Sequence, residues 1–154
     1  MQLKTHLAIA VFVGLFFLSN ITHKIIFFIF LIAATALPDI DTAKSYVGQP
    51  WILRFLQFFT KHRGMIHSFT IMFIVTIILL LIFPMAAFGF FLGYLVHLVS
   101  DAMTVEGIAF FWPLKAKISG KITTGGLVER ILFWIFVGLN VVILIFILKN
   151  WAGA

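Results

Sequence analysis

His62, Arg63, His67 and Ser68 crowd into seven residues at the mouth of a long apolar run. Polar side chains at a membrane boundary are costly to desolvate, so such a cluster is read first as a functional site. Three other stretches carry complementary groups. Pro38-Asp39-Ile40-Asp41 places two carboxylates directly after the proline that ends another apolar run. His97 and Asp101 stand four residues apart, on one face of a helix. The same spacing lets a helical His-x-x-x-His pair grip zinc. His6 sits near the start of the first apolar run.

Each signal has a plainer alternative when taken singly. Asp39 and Asp41 can be a polar helix end, and His97 with Asp101 a hydrogen bond that closes one. A lone histidine at a boundary is more often interfacial than a ligand, and His23, with no carboxylate near it, is assigned that role. Yet carboxylates at a helix C-terminus oppose the macrodipole. Asp39 and Asp41 therefore call for a positive partner, either a metal ion or an arginine.

The elements that must position these groups are apolar. Of 154 residues, 63% are hydrophobic and 10% charged, with a mean hydropathy of +1.19. A soluble domain of this length has no room to bury that much apolar surface, so the bilayer is its solvent. An all-α, polytopic membrane protein of one domain over residues 1–154 is expected. There is no cysteine, which excludes disulfides and thiolate zinc sites. The formal charge of +6 is attributed to membrane topology and anionic lipid, with no nucleic-acid partner. Lys4 and the run Leu7–Leu18 have the outline of a signal peptide, but no small-x-small cleavage site follows, so a retained helix is expected.

About five transmembrane helices can be drawn: Thr5–Asn20, Ile25–Leu37, Phe69–Phe83, Met85–Ser100 and Ile131–Leu148. The last spans about 27 Å, close to a hydrocarbon core of about 30 Å. The first four are shorter, and a four-span variant with a re-entrant hairpin stays open. Arg54, Gln57 and Lys61 recur at helical spacing among the apolar residues of Trp51–Lys61, which predicts an interfacial amphipathic helix. Ile108–Leu114 is too short to span and is broken by Pro113. Lys115, Lys117 and Lys121 follow it in a glycine-marked loop, as topology determinants or lipid-phosphate contacts.

Threading five spans puts all five acidic residues at one membrane face, with four of the five histidines and nine of the eleven basic residues. The positive-inside rule makes that face, and the N-terminus, cytoplasmic in a multi-pass cell-membrane protein. Four separate helix ends thus deliver their groups to one place. Imidazole and carboxylate without thiolate suit a divalent metal, zinc first, with manganese or iron as alternatives, as one ion or a pair. The expected ligands are His6, Asp39, His67, His97 and Asp101, with His62 and Asp41 next in line. Asp41, His62 and Arg63 are the candidate catalytic residues. Asp41 would orient a ligand imidazole or act as base, and Arg63 would bind phosphate through its planar fork. Ser68, Thr104 and Glu106 are expected to support them. Neither Ser68 nor Ser100 stands in a nucleophile-elbow context.

At these residues the chain resembles the YdjM-like membrane-bound predicted metal-dependent hydrolases, LexA-regulated in some bacteria. The likeness runs through Thr5-His6, Leu37-Pro38-Asp39-Ile40-Asp41, His62-Arg63-Gly64 with His67-Ser68, and Gly93-Tyr94 through His97-Leu98 to Asp101. It continues at Thr104, Gly107 and Trp112-Pro113-Leu114, leaving out only the last span. Ile66 departs from it, where the family commonly has threonine. The resemblance implies a helical membrane protein with a metal site and hydrolase activity. Combined with the residues, it favours hydrolysis of a phosphoester at the membrane surface, a phospholipid or isoprenoid phosphate, with membrane lipid as partner. Two other classes compete. An ion or metal transporter would carry polar groups through the midplane, where these spans are apolar. A non-catalytic membrane protein would use the cluster as a structural metal or hydrogen-bond knot.

Overall fold

The computed structural model describes residues 1–41, 63–114 and 116–152. They form five helices: α1 (Leu3–Phe17), α2 (Lys24–Ala36), α3 (Phe69–Ile82), α4 (Pro84–Ala102) and α5 (Leu127–Ala152). Local chemistry sets their ends. Pro38 has no N–H to donate to the carbonyl four residues back, and α2 gives way to a 3-10 turn over Leu37–Asp41. Ser68 caps α3, its hydroxyl oxygen accepting from the Ile71 amide. Pro84 opens α4, where its missing N–H costs nothing.

All five apolar runs are helical, but among the described residues only three helices are long and apolar enough to cross a membrane unaided: Leu3–Asn20, Pro84–Ala102 and Leu127–Asn150. The 13 residues of α2 and 14 of α3 reach only about 20 Å. The amphipathic helix expected over Trp51–Lys61 lies outside the described residues.

The centre of the bundle is the parallel pair α2 and α4. Gly89 and Gly93 let the two backbones touch: a Cβ on Gly89 would stand 2.4 Å from the Phe27 carbonyl oxygen, and one on Gly93 2.1 Å from that of Leu31. This is the small-x-x-x-small device of membrane helices. A core of Ala10, Phe27, Leu31, Leu92 and Val96 joins α1 to this pair. A second core of Ala34, Met72, Phe90, Tyr94, Leu98 and Ile108 joins α3 to it, directly below the polar end. α5 packs along α1, where Asn140 donates to the Ala8 carbonyl (2.9 Å) and Phe12 meets Phe136 edge-on. Its outer face, with Trp134, Val142 and Phe146, is exposed, as suits lipid.

Candidate metal centre

The site is assembled from four chain segments at one end of the bundle. The first turns of α1 supply His6, the turn after α2 supplies Asp39, the approach to α3 supplies Arg63 and His67, and the last turns of α4 supply His97 and Asp101. The three histidines are fully buried and Asp101 is 1% exposed. Two overlapping groups, His6–His97–Asp101 and Asp39–His67–His97, bring one donor atom from each residue within 4.8 Å of the others.

His67 and His97 each stand close to both carboxylates. His67 Nε2 lies 3.2 Å from His97 Nε2, 3.9 Å from Asp39 Oδ1 and 3.7 Å from Asp101 Oδ2. His97 Nε2 lies 3.8 Å from Asp39 Oδ1 and 3.7 Å from Asp101 Oδ2. Tetrahedral zinc with ligand bonds of about 2.0–2.2 Å implies donor–donor edges of about 3.3–3.6 Å. The five distances, 3.2–3.9 Å, are close to such edges, and the donors are the hard and borderline types such ions take.

The tutoring of His97 comes from the backbone. Its Nδ1 sits 2.7 Å from the Thr35 carbonyl oxygen, which can only accept, so Nδ1 carries the hydrogen and Nε2 turns a lone pair to the cluster. Ligand histidines are commonly held this way. His6 stacks on His97 with ring centroids 4.1 Å apart and planes 16° from parallel. Its Nε2 is 3.3 Å from Asp101 Oδ1 but out of hydrogen-bond alignment, and neither of its ring nitrogens has a hydrogen-bond partner among the described residues.

Arg63 borders the cluster. Its backbone is left-handed (φ 62°), a conformation an arginine adopts only under local constraint. Nη2 lies 3.3 Å from Asp101 Oδ2, while Nη1 donates to Thr104 Oγ1 at 3.0 Å and lies 3.5 Å from Glu106 Oε2. Thr124 donates to the same Glu106 oxygen at 2.8 Å. The loop after α4 is thereby bound to Arg63, and its paired backbone at Ile108 and Ile118 keeps it folded over the site. Burial raises the Asp39 carboxyl above its ordinary pKa, against the pull of the His6 and His67 imidazoles. Partial burial also pushes the Glu106 carboxyl upward, but the Thr124 hydrogen bond and the Arg63 charge help to outweigh it and leave its pKa below the ordinary value.

The structure thus brings together His6, Asp39, His67, His97, Asp101 and Arg63, with Thr104 and Glu106 in contact with Arg63. Ser68 acts as a helix cap and also donates to the Met65 carbonyl (2.6 Å). His62 and the side chain of Asp41 lie outside the described residues. Three contributors carry no sequence signal of their own. Thr35 acts through its carbonyl, and the Met1 amino group bonds Asp101. Glu129, 1% exposed, accepts from Gln2 N (2.6 Å), Thr5 Oγ1 (2.9 Å) and Gly125 N (2.6 Å), and so locks α5 onto the turn of α1 that carries His6.

The family model described as YdjM inner membrane protein matches residues 1–153. Two curated relatives, both called Inner membrane protein YdjM, come from Escherichia coli (strain K12) and Shigella flexneri. Each is 35% identical over 88 residues, an alignment covering 51% of this chain and 45% of the relative. The chain spans about half the length of the curated relatives it matches. No solved structure matches.

Proposed function

The chain belongs to the YdjM inner membrane protein family, and we propose that it is a metal-dependent hydrolase of phosphoesters at the cytoplasmic face of the cell membrane. One observation carries this reading: two overlapping triads, Asp39–His67–His97 and His6–His97–Asp101, converge buried donors from separate segments, and His67 and His97 each stand within 3.9 Å of both carboxylates. Two buried carboxylates close together repel unless positive charge joins them, and a divalent ion supplies it. Zinc is the first candidate, manganese and iron the next.

When bound, the ion supplies Lewis acidity toward a phosphoryl oxygen and eases the deprotonation of water. The other roles fall to the chain. Arg63, beside the donors and pre-set by Thr104 and Glu106, offers its guanidinium to the remaining phosphoryl oxygens. Asp41 accepts the proton of the attacking water as its oxygen bonds to phosphorus and the bond from phosphorus to the leaving oxygen breaks. His62 remains the other candidate catalytic residue, and the leaving oxygen takes its proton from water. Burial of the donors at the ends of membrane helices favours a substrate that resides in the bilayer, a phospholipid or isoprenoid phosphate.

The orientation rests on charge: Lys4, Arg63, Lys117, Lys121 and Arg130 stand at the site end, against Lys24 and Lys149 at the other. Five crossings fit this arrangement if the bilayer thins around the short α2 and α3. A second reading has one observation in its favour. Arg63 already pairs with Asp101, so the cluster can also serve as a structural knot in a non-catalytic membrane protein.

Metal analysis of purified protein, followed by a screen of lipid phosphoesters, separates the two. Stoichiometric metal and a turnover that His97→Ala abolishes support the hydrolase. Failure to co-purify or bind any metal sinks it, and metal without turnover on the lipid phosphoesters favours the knot. For topology, Lys44→Cys in this cysteine-free chain should resist labelling by impermeant maleimide from outside, and its labelling would reverse the orientation.

A further inference from the structure

The first ion uses Asp39 Oδ1, His67 Nε2, His97 Nε2 and Asp101 Oδ2. Two donors, His6 Nε2 and Asp101 Oδ1, stand outside that set. Asp101 turns its other oxygen, Oδ1, away from His67 and His97 and toward His6 Nε2, 3.3 Å away on a different helix. His6 is fully buried, and both of its ring nitrogens lack hydrogen-bond partners among the described residues. A buried imidazole whose one polar neighbour, Asp101 Oδ1, is out of alignment has replaced its water incompletely. The stacked His97 is no remedy, since its Nδ1 is committed to the Thr35 carbonyl and its Nε2 to the first ion. A carboxylate differs from an imidazole in that its two oxygens can serve two ions at once. The Met1 amino group and Arg63 Nη2 bond this same oxygen, so an ion seated there takes the place of the Met1 ammonium.

We infer that His6 and Asp101 Oδ1 form a second divalent-cation site, joined to the first through the Asp101 carboxylate. This rests on the reading of the first site as a metal centre. With fewer protein donors the second ion binds more weakly, and its remaining positions are left to solvent or to phosphate oxygens. Two cations sharing a carboxylate are the arrangement used to clamp a phosphoester from both sides. His6 is then a ligand of a different ion from His67 and His97, and its loss leaves the first ion in place.

The test counts ions on tag-free, metal-stripped protein in detergent. Zn2+ and Mn2+ are each added to saturation, bound metal is measured by mass spectrometry, and the Mn2+ form is examined by electron paramagnetic resonance. Two ions per chain, with an exchange-broadened Mn2+ spectrum, are expected. His6→Asn should bind one ion and show the six lines of an isolated Mn2+, with helix content unchanged by circular dichroism. One ion per wild-type chain overturns the second site and leaves the first standing, as do two ions without magnetic coupling. Two ions retained by His6→Asn also overturn it. Binding of neither metal overturns the first site as well. If His6→Asn does not fold, the wild-type count and coupling decide.

Discussion

His97 Nδ1 lies 2.7 Å from the carbonyl oxygen of Thr35, and this contact fixes which nitrogen of His97 faces Asp39, His67 and Asp101. It depends on how closely α4 approaches α2. Thr35 follows Leu31 by one helical turn, and it is at Leu31 that Gly93 makes its backbone contact. The packing of two apolar helices and the orientation of a ligand are therefore one feature.

Gly93→Ala should disturb both. The added Cβ would stand 2.1 Å from the Leu31 carbonyl oxygen and 3.0 Å from Thr35 Oγ1, forcing the helices apart. A melting temperature several degrees lower is expected. Metal affinity should fall about 10- to 100-fold, the usual cost of losing a group that orients a ligand. Gly138 on α5 has nothing within 4 Å of the corresponding position, so Gly138→Ala should leave both unchanged or raise stability by up to about 1 kcal/mol. Equal behaviour of the two variants in metal titration and thermal melts would break the link.

Ser68→Ala distinguishes support from nucleophilic chemistry. The hydroxyl accepts from Ile71 N at 3.3 Å and donates to Met65 O. Its loss should cost about 1 kcal/mol, as for other helix caps, while ion binding and turnover persist. A complete loss of turnover in a folded Ser68→Ala protein would restore the nucleophile.

Glu129 is 124 residues from Thr5, yet both of its oxygens are occupied in holding α1 to α5. Glu129→Gln replaces one acceptor oxygen by a donor facing another donor, and should destabilise the protein by about 1–3 kcal/mol. Hydrogen exchange in the first turns of α1 should quicken. Binding of the second ion should weaken more than binding of the first, because only His6 rides on α1. Unchanged exchange in Glu129→Gln would show that the clasp does not hold α1.

Metal removal should lower thermal stability. A ligand that binds only the folded state, present at about 100 times its Kd, adds about 2.7 kcal/mol. Chelation should therefore reduce the melting temperature of the wild type, restored by added zinc, and should leave His97→Ala unaffected. Identical chelator responses in the two proteins would mean that the stabilising ion is bound elsewhere.

Much of this was legible before folding because it depends on period and composition. Apolar runs force the chain into the bilayer, and their order decides which ends share a face. His6, Asp39, His67, His97 and Asp101 could therefore be placed together by threading alone, and four-residue spacing aligned His97 with Asp101. The breaks at Pro38 and Pro84 were readable for the same local reason. The lengths of α2 and α3 were readable too, though what the bilayer makes of helices near 20 Å is not a local property.

The division of labour within the cluster belongs to the tertiary structure. Sequence offers His6, His67 and His97 as equivalent ligands, whereas packing stacks His6 on His97 and turns it to a different oxygen of Asp101. Arg63 reads as a free phosphate contact, but its fork is anchored on Asp101, Thr104 and Glu106. The Thr35 carbonyl and the Glu129 clasp leave no mark in composition or spacing, because one is backbone and the other joins opposite ends of the chain. Residue type and periodicity determined that imidazoles and carboxylates meet at one membrane face. Which atoms meet depends on helix separations of a few ångströms, and those are set only when Gly89 and Gly93 seat α4 against α2.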